Sequence, residues 1–178
     1  MQPIHLSRSS VDPDSLDSQR IWQWRNDPVT RQMSITTDEV PWERHRAWYA
    51  QAARDPRKVL LLASHGSTPL GVVRFDLQGA DEAEVSINVN PAQRGQGLSR
   101  PLLAAACAWA FEHLALSRIT ARIKPGNLRS LRIFTGVGFV RCEAQTDLPC
   151  FALARDALIP AGDVPHPSPP TETQRRNK

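Results

Sequence analysis

Two hydrophobic periods divide this chain, one of two residues and one near 3.6, and they predict strands alternating with helices. "PIHLSR" places Ile4 and Leu6 on one face of a short first strand. "DPDSLDSQRIWQWRND" follows with Asp and Ser caps, sets Leu16, Ile21 and Trp24 at helical spacing, and stops at Asp27-Pro28. "TRQMSITTDEV" reads as a polar loop, after which Pro41 suits the first turn of a second helix, "PWERHRAWYAQAARD". "KVLLLASHG" and "PLGVVRFDL" read as strands joined by a His65-Gly66-Ser67 turn, and "AEVSINVNP" as a third strand. From about Leu98 to Leu114 the chain is apolar around much of a helical circumference, which predicts burial. "RITARIK" is a further strand, "NLRSLRIFTGV" a helix closed near Gly136, and "GFVRCEA" and "CFALAR" the last two strands. The predicted order is β-α-α-β-β-β-α-β-α-β-β.

From Pro160 the pattern dissolves into "PAGDVPHPSPPTETQRRNK", rich in proline and poor in apolar groups. Such a segment adds nothing to a core, so residues 160–178 are predicted to be a disordered tail and residues 1–159 one folded domain. With 40% hydrophobic and 22% charged residues, the composition is that of a soluble globular protein. The net charge is +4, and 19 of the 22 basic residues are arginines scattered along the chain. Nucleic-acid binding needs a continuous basic face, so no nucleic-acid partner is expected. Cys107, Cys142 and Cys150 are odd in number, and neither they nor the five histidines show ligand spacing. Neither a disulfide framework nor a metal site is expected. The longest apolar run, Leu102 to Phe111, is too short for a bilayer, and "MQPIHLSRSS" lacks the apolar centre of a secretory signal. The expectation is a cytoplasmic protein with no membrane partner.

Candidate chemistry begins at "VNPAQRGQGLS", residues 89–99, directly before the most apolar helix. Backbone N–H groups at a helix N-terminus lack intrahelical partners and sit at the positive end of the macrodipole. Gly95 and Gly97 would let that backbone approach a phosphate, and Arg94 adds a charge. A dinucleotide-binding GxGxxG does not fit, because Arg100 stands at the third glycine position and the preceding strand belongs to an antiparallel series. From this segment alone, phosphate binding and a plain turn are equal readings.

Some thirty residues on, "NLRSLRIFTGVGF" puts Asn127 and Ser130 at a helix start, Phe134 one turn later and Gly138-Phe139 at a strand entry. The two motifs at this separation resemble the GNAT acetyltransferase superfamily, and the element order agrees over roughly residues 3–155. The resemblance implies an α/β (α+β) fold, a mixed and mostly antiparallel sheet of about seven strands flanked by four helices. It implies acetyl-CoA as co-substrate, and direct attack of a neutral amine with no covalent enzyme intermediate. The strand before the glycine turn would splay from the next, with pantetheine in the gap and Val89 offering it backbone hydrogen bonds. Arg94, Gly95, Gln96, Gly97, Leu98 and Ser99 would cradle the pyrophosphate, Ser99 standing where the pattern has Gly or Ala. Asn127 would bond the pantetheine arm or orient a water near the sulfur. Phe134 stands where many members carry the Tyr that protonates the departing thiolate. A phenyl ring cannot, so Ser130 or a water on Asn127 would substitute, and Phe134 reads as packing against pantetheine.

Glu84 is the candidate base. Strand parity sets it in one row with Ser86 and Asn88, and a polar row on a central strand is costly unless it lines a cavity. The plainer reading is a Glu84 near a strand end, paired with an arginine. For the acceptor, "WQWRNDP", "MS", "PWERHRAW" and "GVVRFD" resemble acetyltransferases of nucleotide-linked amino sugars, the pseudaminic acid pathway type. That resemblance implies a nucleotide-linked amino-deoxy sugar used in surface glycans. Arg25 or His45 would meet the diphosphate, and Met33, Trp42 and Trp48 would form apolar walls. Arg74 and Asp76 share strand parity and would meet sugar hydroxyls or the amine. Plainer readings stand beside these: Arg25 paired with Asp27 or Asp38, His45 on a helix surface, Met33 in the core. Two other functions stay open, an N-acetyltransferase for proteins, peptides or other small amines, and a non-catalytic acyl-CoA-binding module.

Overall fold

The computed structural model describes residues 3–143 and 147–160. After β1 (His5–Arg8) come α1 (Leu16–Asn26), α2 (Pro28–Met33) and α3 (Trp42–Ala52). The strands β2 (Lys58–His65), β3 (Thr68–Gln78) and β4 (Glu82–Val89) follow, then α4 (Ser99–His113), β5 (Arg118–Arg122), α5 (Leu128–Val137), β6 (Val140–Cys142) and β7 (Cys150–Ala154). All but Pro160 of the segment expected to be a disordered tail lies outside the described residues.

The α-helices among the described residues number five, because the expected loop after Pro28 contains α2. Asp27-Pro28 stops α1, and it also starts a new helix: Pro28 occupies the first helical position, and the Asp27 carboxylate accepts the Thr30 N–H at 2.9 Å. The end of α5 also differs from expectation. Gly136 lies inside the helix, against the Arg100 side chain, and Gly138 at φ 109° makes the left-handed cap. A side chain at Gly138 would also run into the Ala157 carbonyl.

Seven strands form one sheet in the order β1-β2-β3-β4-β5-β7-β6, with every pair antiparallel except β4 and β5. On one face, Val59, Leu61, Val73, Phe75 and Val85 bury themselves with Leu102, Leu103, Ala106, Cys107 and Ala110 of α4 and Val137 of α5. On the other, Leu60 and Val72 pack with Ile21 and Trp24 of α1 and Tyr49 of α3. The alternation of β2 and β3 thus feeds two cores. The register pairs Asp76 with Glu84, Arg74 with Ser86 and Val72 with Asn88, so the polar row of β4 shares the face that carries α1 and α3.

Candidate active site

The parallel pairing of β4 and β5 covers only Glu82–Arg118, Ala83–Ile119 and Glu84–Thr120. Beyond Glu84, residues 85–89 of β4 have no strand on that side among the described residues, and the gap opens into a cleft of about 860 Å³. Val85 to Val89 form one wall, Ile123, Lys124, Asn127, Ser130 and Phe134 another, and α1, α2 and α3 cover the far end. A sheet split in this way leaves backbone N–H and C=O groups that need partners, and an amide-bearing chain lying in the gap would provide them.

The glycine turn joins β4 to α4 at one mouth of the cleft. Gly95 and Gly97 have φ of 81° and 72°, the left-handed region, and space is open where a Cβ would stand at each. Side chains cap α1, α2 and α5 through Ser15, Asp27 and Asn127, whereas α3, behind Pro41, and α4 start with no side-chain cap, and of these two only α4 follows a glycine turn at the cleft. Its first N–H groups are left for an anion, which fits the pyrophosphate expected here. The Arg94 side chain departs from expectation. Its guanidinium turns away from the turn, donating to Asp27 at 2.5 Å and to the Thr30 hydroxyl at 2.6 Å. That bond, ahead of the backbone bond from Thr30, holds the Asp27 carboxyl below its ordinary pKa. The backbone of the turn is left as the candidate cradle, and Arg94 ties α2 to the turn. Gln96 is exposed and bonds Gln93, Leu98 is half-buried, and Ser99 lines the cleft with Val89.

Asn127 caps α5 by accepting the Ser130 N–H at 3.0 Å and reaches across to donate to the Met33 carbonyl at 3.2 Å. Beside it, Lys124 donates to the Gln32 carbonyl at 2.9 Å, so the C-terminal end of α2 is bound from the β5–α5 side. Phe134 is buried edge-on against Phe139, with ring centroids 5.0 Å apart. It packs on Phe139 and also contributes to the cleft lining, the side on which pantetheine is expected.

Glu84, Ser86 and Asn88 all line the cleft. Glu84 is also engaged: Arg122 donates to it at 2.9 Å and Gln78 at 3.3 Å. The ion pair left open by the sequence is thus present, in the cleft wall. Arg74 lies over Trp48 at 5.8 Å and bonds Asp76 at 2.9 Å, while its Nε is buried without a partner. Asp76 is bound by both Lys58 and Arg74 and lies outside the cleft lining.

Arg25 pairs with neither Asp27 nor Asp38 among the described residues. One nitrogen donates to the Thr36 carbonyl at 2.7 Å and Nη1 is buried with no partner. Burial lowers its pKa, and nearby Arg31 adds to this against the pull of Asp38. His45 is not a surface residue, and it lines the cleft from α3. It is 3% exposed, packs between Trp42 and Tyr49, bonds the Ser18 hydroxyl at 3.1 Å, and has its pKa lowered by burial. Met33 is 42% exposed on the cleft rim and Trp48 lines it, but Trp42 packs on Trp22 and His45 outside the lining.

Sequence reasoning missed Arg44, Arg122, Lys124 and Arg129, all of which line the cleft. The alternation of Arg122 and Lys124 at a strand end was the available signal, masked by the uniform scatter of arginines. Arg25, Arg44, Arg74, Arg94, Arg122, Lys124 and Arg129 face the cleft against Asp38, Glu39 and Glu84, and Glu39 is itself paired with Arg31 at 3.0 Å. No cysteine lines it, and no group of three or more His, Cys, Asp or Glu side chains among the described residues suits a metal.

Residues 11–140 match the Acetyltransferase (GNAT) domain family. In structure the chain is similar to spermidine N-acetyltransferase from Vibrio cholerae in complex with CoA and spermine, at TM-score 0.77 and 15% identity over 86% of this chain and 96% of that one. It is similar to the Campylobacter jejuni N-acetyltransferase PseH in complex with acetyl coenzyme A, at TM-score 0.68 and 19% identity over 86% and 99%. Aminoglycoside acetyltransferase AAC(6')-Ib in complex with coenzyme A gives TM-score 0.73 and 16% identity over 87% and 96%. In sequence, an uncharacterised protein of Methanocaldococcus jannaschii is 22% identical over 130 residues, 71% of this chain, which spans about a quarter (27%) of that protein's length. A split sheet, an uncapped helix behind a glycine turn and a family match across both lead to one conclusion: the chain belongs to the GNAT acetyltransferase family, a domain of the acetyl-CoA-dependent N-acetyltransferase type.

Proposed function

We propose that this enzyme acetylates the amine of a nucleotide-linked amino-deoxy sugar, a cytoplasmic step toward a surface glycan. The charge of the acceptor end of the cleft carries the reading. Arg25 and Arg74 each keep a buried N–H without a partner, and Trp48 and Met33 stand beside them as apolar walls. Both guanidinium groups line the cleft and suit diphosphate oxygens, and the aromatic wall suits a base or a deoxysugar face. A polyamine or aminoglycoside would need several unpaired carboxylates, but Glu39 and Glu84 are each bound to an arginine, which leaves Asp38 alone among those that line the cleft. The proposed acetyl-transfer unit is residues 1–159, with 160–178 as an appended tail.

Acetyl-CoA supplies the activated acyl group. In this reading the backbone of residues 94–99 holds its pyrophosphate, and Val89, Asn127 and Ser130 hold the pantetheine arm. The acceptor amine lies along the Glu84–Ser86–Asn88 row. Glu84, its charge stabilised by Arg122, takes the amine proton through a water held at Ser86. Ser130, whose hydroxyl makes no bond to another described residue, returns a proton to the leaving sulfur in place of the hydroxyl Phe134 lacks.

The test is a panel of UDP- and dTDP-linked amino sugars, with spermidine, kanamycin and amine-bearing peptides as controls, read by free-thiol release and mass spectrometry of the product. Turnover confined to nucleotide sugars is expected. Arg25→Ala and Arg74→Ala should then each raise KM for the sugar about tenfold or more, the loss of about one charged hydrogen bond. Glu84→Gln should lower kcat about 100-fold or more. Turnover on peptides or polyamines alone would overturn the acceptor assignment. Acetyl-CoA binding with no turnover on any acceptor would favour a binding module.

A further inference from the structure

β6 and β7 bring Cys142 and Cys150 directly opposite each other on antiparallel strands. Directly opposed residues have Cα atoms about 4.5–5.5 Å apart and side chains on one face, inside the separation a disulfide needs. Both residues are half-buried, and the two thiols are near enough to influence each other's protonation. Seven residues separate them in sequence, a spacing with no message of its own; the strand register makes the pair. Cys107, by contrast, is fully buried in α4 and has no sulfur partner.

We propose that Cys142 and Cys150 are a redox-sensitive modification site that closes to a reversible intrachain disulfide with low-molecular-weight disulfides as oxidant. This stands on the strand register and is independent of the acceptor assignment. Burial and then contact with Cys142 hold the Cys150 thiol above its ordinary pKa, so the first attack belongs to Cys142. The Cys142 thiolate attacks one sulfur of the oxidant, breaking its S–S bond and releasing one thiol. Cys150 then loses its proton to water, its sulfur attacks the Cys142 sulfur of the mixed disulfide, and the second thiol leaves. Two electrons pass from the cysteine pair to the oxidant, which departs as two thiols. The bond would clamp the rung next to Pro149, whose carbonyl accepts the Ile123 N–H at 3.1 Å in the cleft wall.

The full chain, equilibrated in glutathione buffers of increasing oxidised fraction, quenched by alkylation and digested, gives the answer by mass spectrometry. The expected result is one peptide pair linked through Cys142 and Cys150, two thiols lost together, Cys107 unlabelled in the folded protein, and full reversal by dithiothreitol. With Cys150→Ser, Cys142 should accumulate as a stable glutathione adduct, because the resolving thiol is gone. Independent glutathione adducts on both cysteines of the wild-type chain, or two thiols that stay reduced in fully oxidised buffer, would overturn the proposal.

Discussion

His45 shows how little a residue type says before its burial is known. A histidine one turn from a tryptophan reads as a possible cation, but here the ring is enclosed by Trp42, Trp48 and Tyr49 and tied to Ser18. Burial disfavours the charged ring and lowers its pKa. The unfolded chain therefore binds the proton more readily, and stability rises with pH through the window below the unfolded value of about 6.5. Thermal melts should show Tm falling as pH drops from about 6.5, and His45→Gln should flatten that slope. Asp27, whose pKa is also lowered, adds its loss only at far lower pH, below about 3.9, so the two effects separate. Single positions were legible where chemistry alone limits them: Phe134 cannot donate a proton anywhere. Arg25, Arg74 and Asp76 were not, because a charge takes its role from the partner the fold gives it.

At the scale of elements, the corner between α1 and the glycine turn illustrates the same ambiguity. Asp27-Pro28 carries both a stop signal and a start signal, and only the Asp27–Thr30 cap and the Arg94 bond show that a helix follows. Arg94→Ala should accordingly cost about 1.5–3 kcal/mol of stability, the range for a hydrogen bond to a charged group, with a smaller effect on acetyl-CoA affinity. Gly97→Val should do the opposite at the binding step. A β-branched residue at φ 72° strains the cradle and covers the backbone, and isothermal titration should show acetyl-CoA affinity reduced about tenfold or more. Equal losses in affinity from both variants would return the Arg94 side chain to the phosphate.

For the molecule as a whole, the split between β4 and β5 is a cost waiting for a ligand. Three register pairs join the strands before they part, and residues 85–89 then lack a neighbour on that side. A ligand that lies in the gap binds the folded state only, and at one hundred times Kd it adds about 2.7 kcal/mol. Acetyl-CoA at that level should raise Tm by roughly 5–10 °C for a domain of this size, and slow amide exchange over residues 85–89. A rise without protection in β4 would put the cofactor elsewhere.

Periodicity determined the strands, the long helices and their order, because alternation of two and 3.6 follows from local backbone geometry and needs no knowledge of neighbours. The glycine turn and the Asn127 helix start were equally legible, since a backbone that must approach an anion restricts its own residue types. The tertiary structure decided what sequence neighbours cannot: that β4 and β5 part after Glu84, that Arg122 reaches Glu84, that His45 is enclosed, and that Cys142 faces Cys150. Each is a relation between residues distant along the chain or set by register. A partner, a burial or a register is a property of two segments together, and one segment's pattern does not carry it.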